Sequence, residues 1–290
     1  MEHRINGHTR LFCLIGTPVG HSGSPAMYNY SFDRLGLDNA YLAFDVPLEK
    51  TEEAVNALKL LHVGGFNITM PCKTAVTDFV DDVSPAAKLI GACNTVTVSE
   101  DGKLTGHNTD GIGFVRNLEK NGVSVKGKKI VVLGAGGAAT AVTIQAALDG
   151  ASKITIFNRK GFKFYENGER TVEKVRKNIP ACEISIHNLF DDVLLAEAVK
   201  DCDILVNATK VGMAPLDKET LIDPSLYRPE LVVADTVYNP RETRMIKEAK
   251  AAGCHVIGGI GMLLQQGVAA FNLFTGEQMP EDEVMQKFFS

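Results

Sequence analysis

Short apolar runs alternate with stretches of helical periodicity along the chain. The strands predicted before residue 113 lie at residues 10–16, 40–46, 65–69, 94–98 and 103–106. An Asp101-Gly102 turn joins the last two as a hairpin. The helices predicted in the same region lie at residues 24–36, at residues 48–62 and from Pro71 onward. This half of the chain therefore predicts an α/β domain.

After residue 113 the alternation continues with more strongly apolar strands. These predicted strands lie at residues 129–133, 153–157, 183–187, 203–206, 231–234 and 255–257. Helical stretches fit between most of them, and a helix at residues 110–121 precedes them. Continuous apolar strands that alternate with helices are typical of a parallel sheet covered on both faces. We therefore predict an α/β fold with two domains, residues 1–113 and 114–262, and expect the helices within residues 263–290 to pack back onto the first.

Composition and charge limit the classes of function. Of the 290 residues, 45% are hydrophobic and 22% are charged, which is typical of globular proteins. A net charge of −5 without a block of Lys and Arg predicts no nucleic-acid partner. Residues 130–148 and 251–276 lack Asp, Glu, Lys and Arg over a length that could span a membrane. Glycines divide the first window into a strand and a helix. Polar His255, Gln265 and Gln266 would be costly in hydrocarbon, so we expect both windows in a buried core and no membrane partner.

Six cysteines are scattered along the chain without a C-x-x-C pair: Cys13, Cys72, Cys93, Cys182, Cys202 and Cys254. This spacing predicts neither a disulfide framework nor a zinc site. The polar N-terminus predicts no signal peptide, so a cytoplasmic location is expected. No histidine cluster has ligand spacing, and no metal is expected.

A glycine-rich segment follows the predicted strand at residues 129–133. Gly134, Ala135, Gly136, Gly137, Ala138 and Ala139 form G-x-G-x-x-A between a strand and a helix. Such glycines allow a tight turn and let the backbone approach a pyrophosphate at the helix N-terminus. The segment therefore predicts a dinucleotide site; the alternative is a glycine-rich turn with no ligand.

The next strand ends at Asn158, Arg159 and Lys160. Sites specific for NAD usually carry an acid here that binds the ribose hydroxyls, but no acid occurs before Glu166. The bases at this position, with Lys163, favour a 2′-phosphate, although Arg can also stack on adenine. An ordinary solvated basic loop is the alternative for the lysines.

The first domain offers groups suited to a small polar substrate. Ser22 and Ser24 precede a helix, where hydroxyls and the helix N-terminus suit a carboxylate; the alternative is that Ser24 only caps the helix. Lys73 is predicted in the first turn of the helix that opens at Pro71, where the dipole disfavours a cation and would ease loss of its proton. Asp110 adds a carboxylate, with a helix cap as its alternative role.

Together these segments resemble the shikimate dehydrogenase family, including its quinate/shikimate-accepting relatives. The resemblance runs from Gly16 to about Phe274. It rests on H-S-x-S-P (21–25), G-F-N-I-T-x-P-x-K (65–73), G-A-x-N-T (91–95), N-T-D-G (108–111), G-A-G-G-A (134–138), N-A-T-x-x-G-M (207–213), D-x-V-Y-x-P (235–240) and G-M-L-L-x-Q (261–266).

The resemblance implies an N-terminal substrate-binding domain and a C-terminal Rossmann-type dinucleotide-binding domain. It also implies the reversible NAD(P)-dependent reduction of 3-dehydroshikimate to shikimate, a step of aromatic amino acid biosynthesis. Lys73 and Asp110 would form the catalytic pair. Substrate-binding roles are implied for Ser22, Ser24, Thr69, Asn94, Tyr238 and Gln266. Coenzyme-binding roles are implied for Gly134, Ala135, Gly136, Gly137, Ala138, Asn158, Arg159, Lys160, Thr209, Met213, Thr236 and Gly259.

The family pattern leaves some alternatives open. Lys210 resembles the quinate/shikimate branch, which often uses NAD with an acid after N-R-[KR], whereas this chain has Gly161 at that place. We therefore expect both NADP and NAD to work. Quinate as an additional substrate, and a non-catalytic ligand-binding regulator on the same fold, are the alternative functions. Family members occur as monomers or dimers, so a homodimer is one of two expected states.

Overall fold

A computed structural model of the chain describes residues 5–289. The chain divides into two compact units. The first contains the described residues up to Thr109 and those from Gly267 onward, and the second comprises Asp110–Gln266.

The strands described before Thr109 form one mixed six-stranded sheet in the order β2-β1-β3-β5-β6-β4. They are β1 (Arg10–Gly16), β2 (Asn39–Asp45), β3 (Gly65–Ile68), β4 (Asp82–Val83), β5 (Thr95–Val98) and β6 (Leu104–His107). The helices of this stretch are α1 (Ser24–Arg34), α2 (Thr51–Leu60) and α3 (Pro85–Ile90), with 3-10 turns at Leu48–Lys50 and Ala75–Asp78. β1 pairs in parallel with β2 and β3, and β5 pairs antiparallel with β3 and β6, which confirms the predicted hairpin.

The predicted helix from Pro71 is wrong. The chain forms turns here and then only the 3-10 helix Ala75–Asp78. In an α-helix, the Lys73 carbonyl would accept the Thr77 N–H. It accepts the N–H of Cys93 at 2.8 Å instead, and the Thr77 N–H donates to the Thr74 carbonyl. Lys73 therefore does not lie in the first turn of an α-helix, and the dipole argument for its proton affinity does not apply.

Sequence reasoning also missed α3, although its signals are present. Ser84 caps the helix by accepting the Ala87 N–H at 3.4 Å, Pro85 is its first residue, and Gly91 ends it with a φ of +78°. Proline at the start and glycine just past the end are the usual signs of a short helix.

The second unit contains a six-stranded parallel sheet in the order β12-β11-β10-β7-β8-β9. Its strands are β7 (Lys129–Leu133), β8 (Lys153–Asn158), β9 (Glu183–Asn188), β10 (Ile204–Asn207), β11 (Val232–Asp235) and β12 (His255–Ile257). The helices are α4 (Asp110–Lys120), α5 (Gly137–Leu148), α6 (Tyr165–Asn178), α7 (Asp192–Asp201), α8 (Arg244–Ala251) and α9 (Gly259–Thr275), with a 3-10 turn at Pro224–Leu226. This order confirms the predicted Rossmann-type α/β fold, because β8 and β10 lie on opposite sides of β7.

The end of the chain packs on the sheet and helix α1 of the first unit. After α9 come α10 (Glu281–Val284) and a π-helical turn, Met285–Phe289. Phe271 is fully buried, and its ring centroid lies 5.5 Å from that of Phe32 and 6.1 Å from that of Tyr28. The Glu283 carboxylate accepts hydrogen bonds from Nε and Nη2 of Arg34, at 2.7 and 2.9 Å, and from the Tyr30 hydroxyl at 2.6 Å.

Replacing Phe271 with Ala is expected to lower the free energy of unfolding by about 3–5 kcal/mol, the usual cost of deleting a buried Phe side chain. Urea unfolding followed by circular dichroism measures this. Leu273→Ala, on the same helix but 39% exposed, is the control and should cost far less. Equal losses in the two variants would show that Phe271 does not anchor the terminal segment.

Candidate active site

Four loops carrying the polar motifs of the first unit meet at one edge of its sheet. β1 and β3 run parallel and end side by side, with Ile15 opposite Ile68. β5 begins beside the end of β3, and β6 ends beside the start of β5, with Thr95 opposite His107. The loops at this edge contain Ser22, Thr69, Lys73, Asn94 and Asn108, and Ser24 begins α1 directly after the first of them.

The loop after β1 presents the two predicted serines at the start of α1. Gly23, not Ser24, occupies the cap position, and Ser24 is the first helical residue. The Ser24 N–H donates to Ser22 Oγ at 3.2 Å. Both serines are half-buried. Two hydroxyls beside a helix N-terminus suit a small carboxylate.

Close backbone contacts hold the serine loop against the loop after β3. The Thr17 N–H donates to the Met70 carbonyl at 3.0 Å, and the Thr69 N–H donates to the Ile15 carbonyl at 2.9 Å. A Cβ at Gly16, whose φ is +144°, would lie 2.5 Å from Thr69 Cγ2 and 2.8 Å from the Met70 carbonyl oxygen. Glycine at position 16 is therefore what lets these two loops approach.

Lys73 is half-buried in the turn that follows β3. The hydrogen bond from Cys93 to its carbonyl ties this turn to the loop that precedes β5. At the end of β3, the Ile68 N–H donates to the Asn94 carbonyl at 2.8 Å, which is a second link between these two loops. The first unit thus brings Thr69, Lys73 and Asn94 into one region.

Asn94 is buried and belongs to a chain of side-chain hydrogen bonds that the sequence did not reveal. Its Oδ1 accepts the Thr109 N–H at 2.8 Å, and its Nδ2 donates to Thr109 Oγ1 at 2.9 Å. Behind it, the Tyr41 hydroxyl donates to Asn67 Oδ1 at 2.7 Å, and Asn67 Nδ2 donates to Thr95 Oγ1 at 3.0 Å. This chain fixes the residue that directly precedes Asp110.

Asp110 is the first residue of α4 in the second unit and is half-buried. A carboxylate in the first turn is favoured by the helix dipole. α4 is seated tightly, because a Cβ at Gly111 would lie 2.5 Å from the Ala141 carbonyl oxygen of α5. A Cβ at Gly113 would lie 2.6 Å from the backbone nitrogen of Gln266 on α9.

The glycine segment after β7 has the geometry of an anion-binding turn. Gly134 has a φ of +113°, and a Cβ there would lie 2.7 Å from the Ala208 carbonyl oxygen. Gly136 occupies the cap position of α5, no side chain caps the helix, and its first turn has no acid. A Cβ at Gly136 or Gly137 would meet nothing within 4 Å. The start of α5 thus faces open space, which fits a pyrophosphate against its N–H groups.

The loop after β8 contains the predicted adenosine-side residues. Asn158 is half-buried, while Arg159 and Lys160 are exposed. The Lys160 N–H donates to Asn188 Oδ1 at 3.2 Å, which anchors the loop to the end of β9. Gly161 has a φ of +82° and open space around it. Glycine is therefore favoured at position 161 by the turn itself.

A buried network joins the ends of β10 and β11. Asp235, only 1% exposed, accepts Asn207 Nδ2 at 3.0 Å and the Val237 N–H at 2.9 Å on Oδ1, and the Thr243 hydroxyl at 2.7 Å on Oδ2. Asn207 Oδ1 accepts the Thr209 hydroxyl at 2.7 Å. Desolvation raises the pKa of Asp235 to about 6 despite these hydrogen bonds. The network holds the loops that contain Thr209, Met213 and Thr236.

The remaining predicted residues also lie in the second unit. Gly259 allows the start of α9 to meet the loop after β11, since a Cβ there would lie 2.5 Å from the Val237 carbonyl oxygen. Tyr238 is exposed on that loop. Gln266 lies on α9, where its Nε2 donates to the Leu263 carbonyl at 2.9 Å.

Two family models match segments near the two ends of the chain, and relatives match it over its whole length. The family model of the shikimate dehydrogenase substrate binding domain matches residues 14–96, and that of the shikimate 5′-dehydrogenase C-terminal domain matches residues 259–287. Shikimate dehydrogenase (NADP(+)) from Listeria monocytogenes serotype 4b (strain F2365) is 46% identical over 290 residues, covering 100% of this chain and 99% of that protein. The chain belongs to the shikimate dehydrogenase family.

Solved structures of related proteins show the same fold. Shikimate 5-dehydrogenase from Listeria monocytogenes, in complex with shikimate and NAD, is 44% identical with a TM-score of 0.97, covering 100% of this chain and 99% of that one. Quinate dehydrogenase from Corynebacterium glutamicum, in complex with NAD, is 29% identical with a TM-score of 0.86, covering 97% and 98%. Shikimate dehydrogenases are oxidoreductases that act on a CH–OH group, and this chain is one of that class.

Two further observations concern the chain as a whole. Within residues 5–289, every helix falls short of the length and apolarity that crossing a membrane requires. All six cysteines are free thiols and buried.

The buried Asp235 is expected to make stability depend on pH. Its folded-state pKa of about 6 exceeds the unfolded value of about 3.9, so the folded state binds the proton more tightly. The free energy of unfolding should therefore fall as pH rises from about 4 to about 6, by about 2–3 kcal/mol from this residue.

Urea unfolding of wild type and Asp235→Asn at pH 4, 5, 6 and 7 measures this contribution. The amide oxygen of Asn can accept the bonds made to Oδ1, and its NH₂ can donate to Thr243. The stability of wild type relative to the variant should decline over this range. A difference that does not change with pH would contradict the raised pKa.

Proposed function

We propose that this chain catalyses the reversible NAD(P)-dependent reduction of 3-dehydroshikimate to shikimate. The observation that supports it most is the edge of the first sheet, where two serine hydroxyls at a helix N-terminus share one loop cluster with half-buried Lys73. This set matches a substrate that carries a carboxylate at one point and a reacting hydroxyl at another. The family relationship supports the same reaction.

The residues are assigned by chemical type. Ser22 and Ser24 would donate to the carboxylate, with Tyr238 as a further partner. Thr69, Asn94 and Gln266 would bind the ring hydroxyls. In this proposal residues 1–113 form the substrate-binding domain and residues 114–262 the coenzyme-binding domain, with residues 263–290 joined to the first.

Lys73 and Asp110 form the acid–base pair in this proposal. During reduction, the Lys73 ammonium donates a proton to the oxygen at C3; during oxidation, the amine takes that proton back. The Asp110 carboxylate would orient the lysine and the hydroxyl. The bound nicotinamide coenzyme supplies the hydride in one direction and accepts it in the other.

The second unit would hold the coenzyme along the carboxyl edge of its sheet. The segment Gly134 to Ala138 would bind the pyrophosphate, and Asn158, Arg159 and Lys160 the adenosine ribose with or without its 2′-phosphate. Thr209, Met213, Thr236 and Gly259 would line the nicotinamide side. Both NADP and NAD are proposed as coenzymes. A relative is named for NADP(+), and a solved relative holds NAD.

Quinate as a second substrate is supported by Lys210 and by the solved quinate dehydrogenase. A cytoplasmic location is supported by the six free, buried thiols, which suit a reducing compartment. A homodimer stays a prediction.

Removing the Lys73 amine is expected to lower kcat by roughly 10²–10⁴-fold, the usual contribution of a general acid–base group. The test measures absorbance at 340 nm for wild type, Lys73→Ala and the exposed control Lys88→Ala, with shikimate and quinate against NAD and NADP. Near-normal kcat in Lys73→Ala would refute the assigned role. Absence of turnover by wild type with every pair would favour the non-catalytic regulator.

An acid at position 161 is expected to shift coenzyme preference toward NAD, because it can accept from the ribose and repels a 2′-phosphate. The ratio of kcat/KM for NADP to that for NAD should fall by at least roughly tenfold in Gly161→Asp. Wild-type values for the two coenzymes should lie within about two decades of each other.

Gly161→Asn is the matched control, since Asn and Asp tolerate the positive φ of this turn comparably and differ in charge. Its coenzyme ratio should stay close to that of wild type. Equal shifts in the two variants would mean that the turn geometry, and not the charge, sets the preference.

A further inference from the structure

The loop after β8 carries two exposed phenylalanines next to basic residues. Phe162 is 53% exposed, and the Arg159 guanidinium carbon lies 4.6 Å from the centroid of its ring. Phe164 is 51% exposed, and the Lys163 amine lies farther from its ring, at 5.9 Å. About half of the Phe162 surface stays in contact with water, so burial alone does not account for its position over Arg159.

A tight turn places the Phe162 ring over Arg159. The Phe162 N–H donates to the Arg159 carbonyl at 3.3 Å, which closes a four-residue turn with Gly161 at its third position. The φ of +82° at that glycine is the value that several such turns require. Arg159 and Phe162 are the first and last residues of the turn, and their side chains are thereby neighbours.

Two hydrogen bonds attach the turn to neighbouring elements. The Lys160 N–H bonds to Asn188 at the end of β9, as described above. The Tyr165 N–H, at the start of α6, donates to the Phe162 carbonyl at 2.9 Å. The backbone of the turn, from which the Phe162 ring extends, is therefore fixed by neighbouring elements of the second unit.

We propose that Phe162 positions Arg159 for the adenosine end of the coenzyme, an inference that rests on the proposed function. A guanidinium has two faces and an edge of N–H donors. With Phe162 against one face, the other face can stack on adenine, and the edge can donate to a 2′-phosphate in a bidentate manner. Holding Arg159 on the ring limits its rotamers before binding, so less freedom is lost when the coenzyme arrives.

The orientation of Arg159 should matter more for binding NADP than for binding NAD. Stacking tolerates small displacements of the guanidinium, whereas two parallel hydrogen bonds to a phosphate need a fixed orientation. Loss of the ring should therefore weaken binding of the 2′-phosphate form more than binding of the form without it. Phe162 acts through Arg159 and is a positioning residue.

The test is isothermal titration calorimetry of the full chain with two coenzyme fragments, adenosine 2′,5′-bisphosphate and AMP. Phe162→Leu should raise the Kd of the bisphosphate by roughly three- to fivefold, the scale of an exposed cation–π contact, and that of AMP by less. Phe162→Tyr, which keeps an aromatic ring at this position, should retain wild-type affinity. Phe164→Leu, the matched control, should change neither Kd. In steady-state assays, Phe162→Leu should raise KM for NADP while kcat at saturating coenzyme stays near that of wild type.

Measurements in an Arg159→Ala background distinguish positioning of Arg159 by Phe162 from direct contact of Phe162 with the coenzyme. In Arg159→Ala, adding Phe162→Leu should have no further effect on either Kd. A further loss as large as in wild type would show that Phe162 contacts the coenzyme by itself and would overturn the proposal. Unchanged fragment binding in Arg159→Ala alone would also overturn it. Shikimate oxidation by these variants would show that the proposed function stands even so.

Discussion

Strand direction is the constraint on which both candidate sites depend. In the second unit, all strand pairs are parallel, so the segments after β7, β8, β10 and β11 emerge at one edge. In the first unit, parallel β1 and β3 end together, and the antiparallel hairpin brings its own start and finish to the same edge. The pairing of the strands thereby gathers chemistry-bearing residues that lie far apart in sequence.

The sequence predicted this framework well, because apolar periodicity reports burial in a sheet directly. The two-residue strand β4 was not predicted, but the other strands of both units agree with their predicted positions within a few residues. The glycine turn after β7 was identified from its context. Local signals were less reliable where a distant partner decides the conformation. The turn at Lys73 is an example, since the hydrogen bond from Cys93 that prevents a helix comes from a loop twenty residues away.

Side-chain networks were out of reach of pattern reasoning for the same reason. Nothing local to Asp235 indicates that Asn207 and Thr243 will surround it, and Asn67 gives no sign of its bond to Tyr41. Buried polar groups need partners, so each network fixes the backbone around it. Asn94 illustrates the result: its side chain bonds Thr109, and the segment that leads into Asp110 is held in place. Phe162 was missed because an exposed aromatic residue in a basic loop has no periodic signature.

The burial of all six thiols has a consequence for how the protein meets oxidants. The thiolate is the reactive form of cysteine, and desolvation raises the pKa of Cys13, Cys93 and Cys202 to about 12. Reaction with peroxide therefore requires both access to a buried thiol and its deprotonation, which is rare at neutral pH. Cysteine oxidation would begin in molecules that have unfolded locally. The rate of oxidation would therefore depend on the free energy of local unfolding rather than on the number of cysteines.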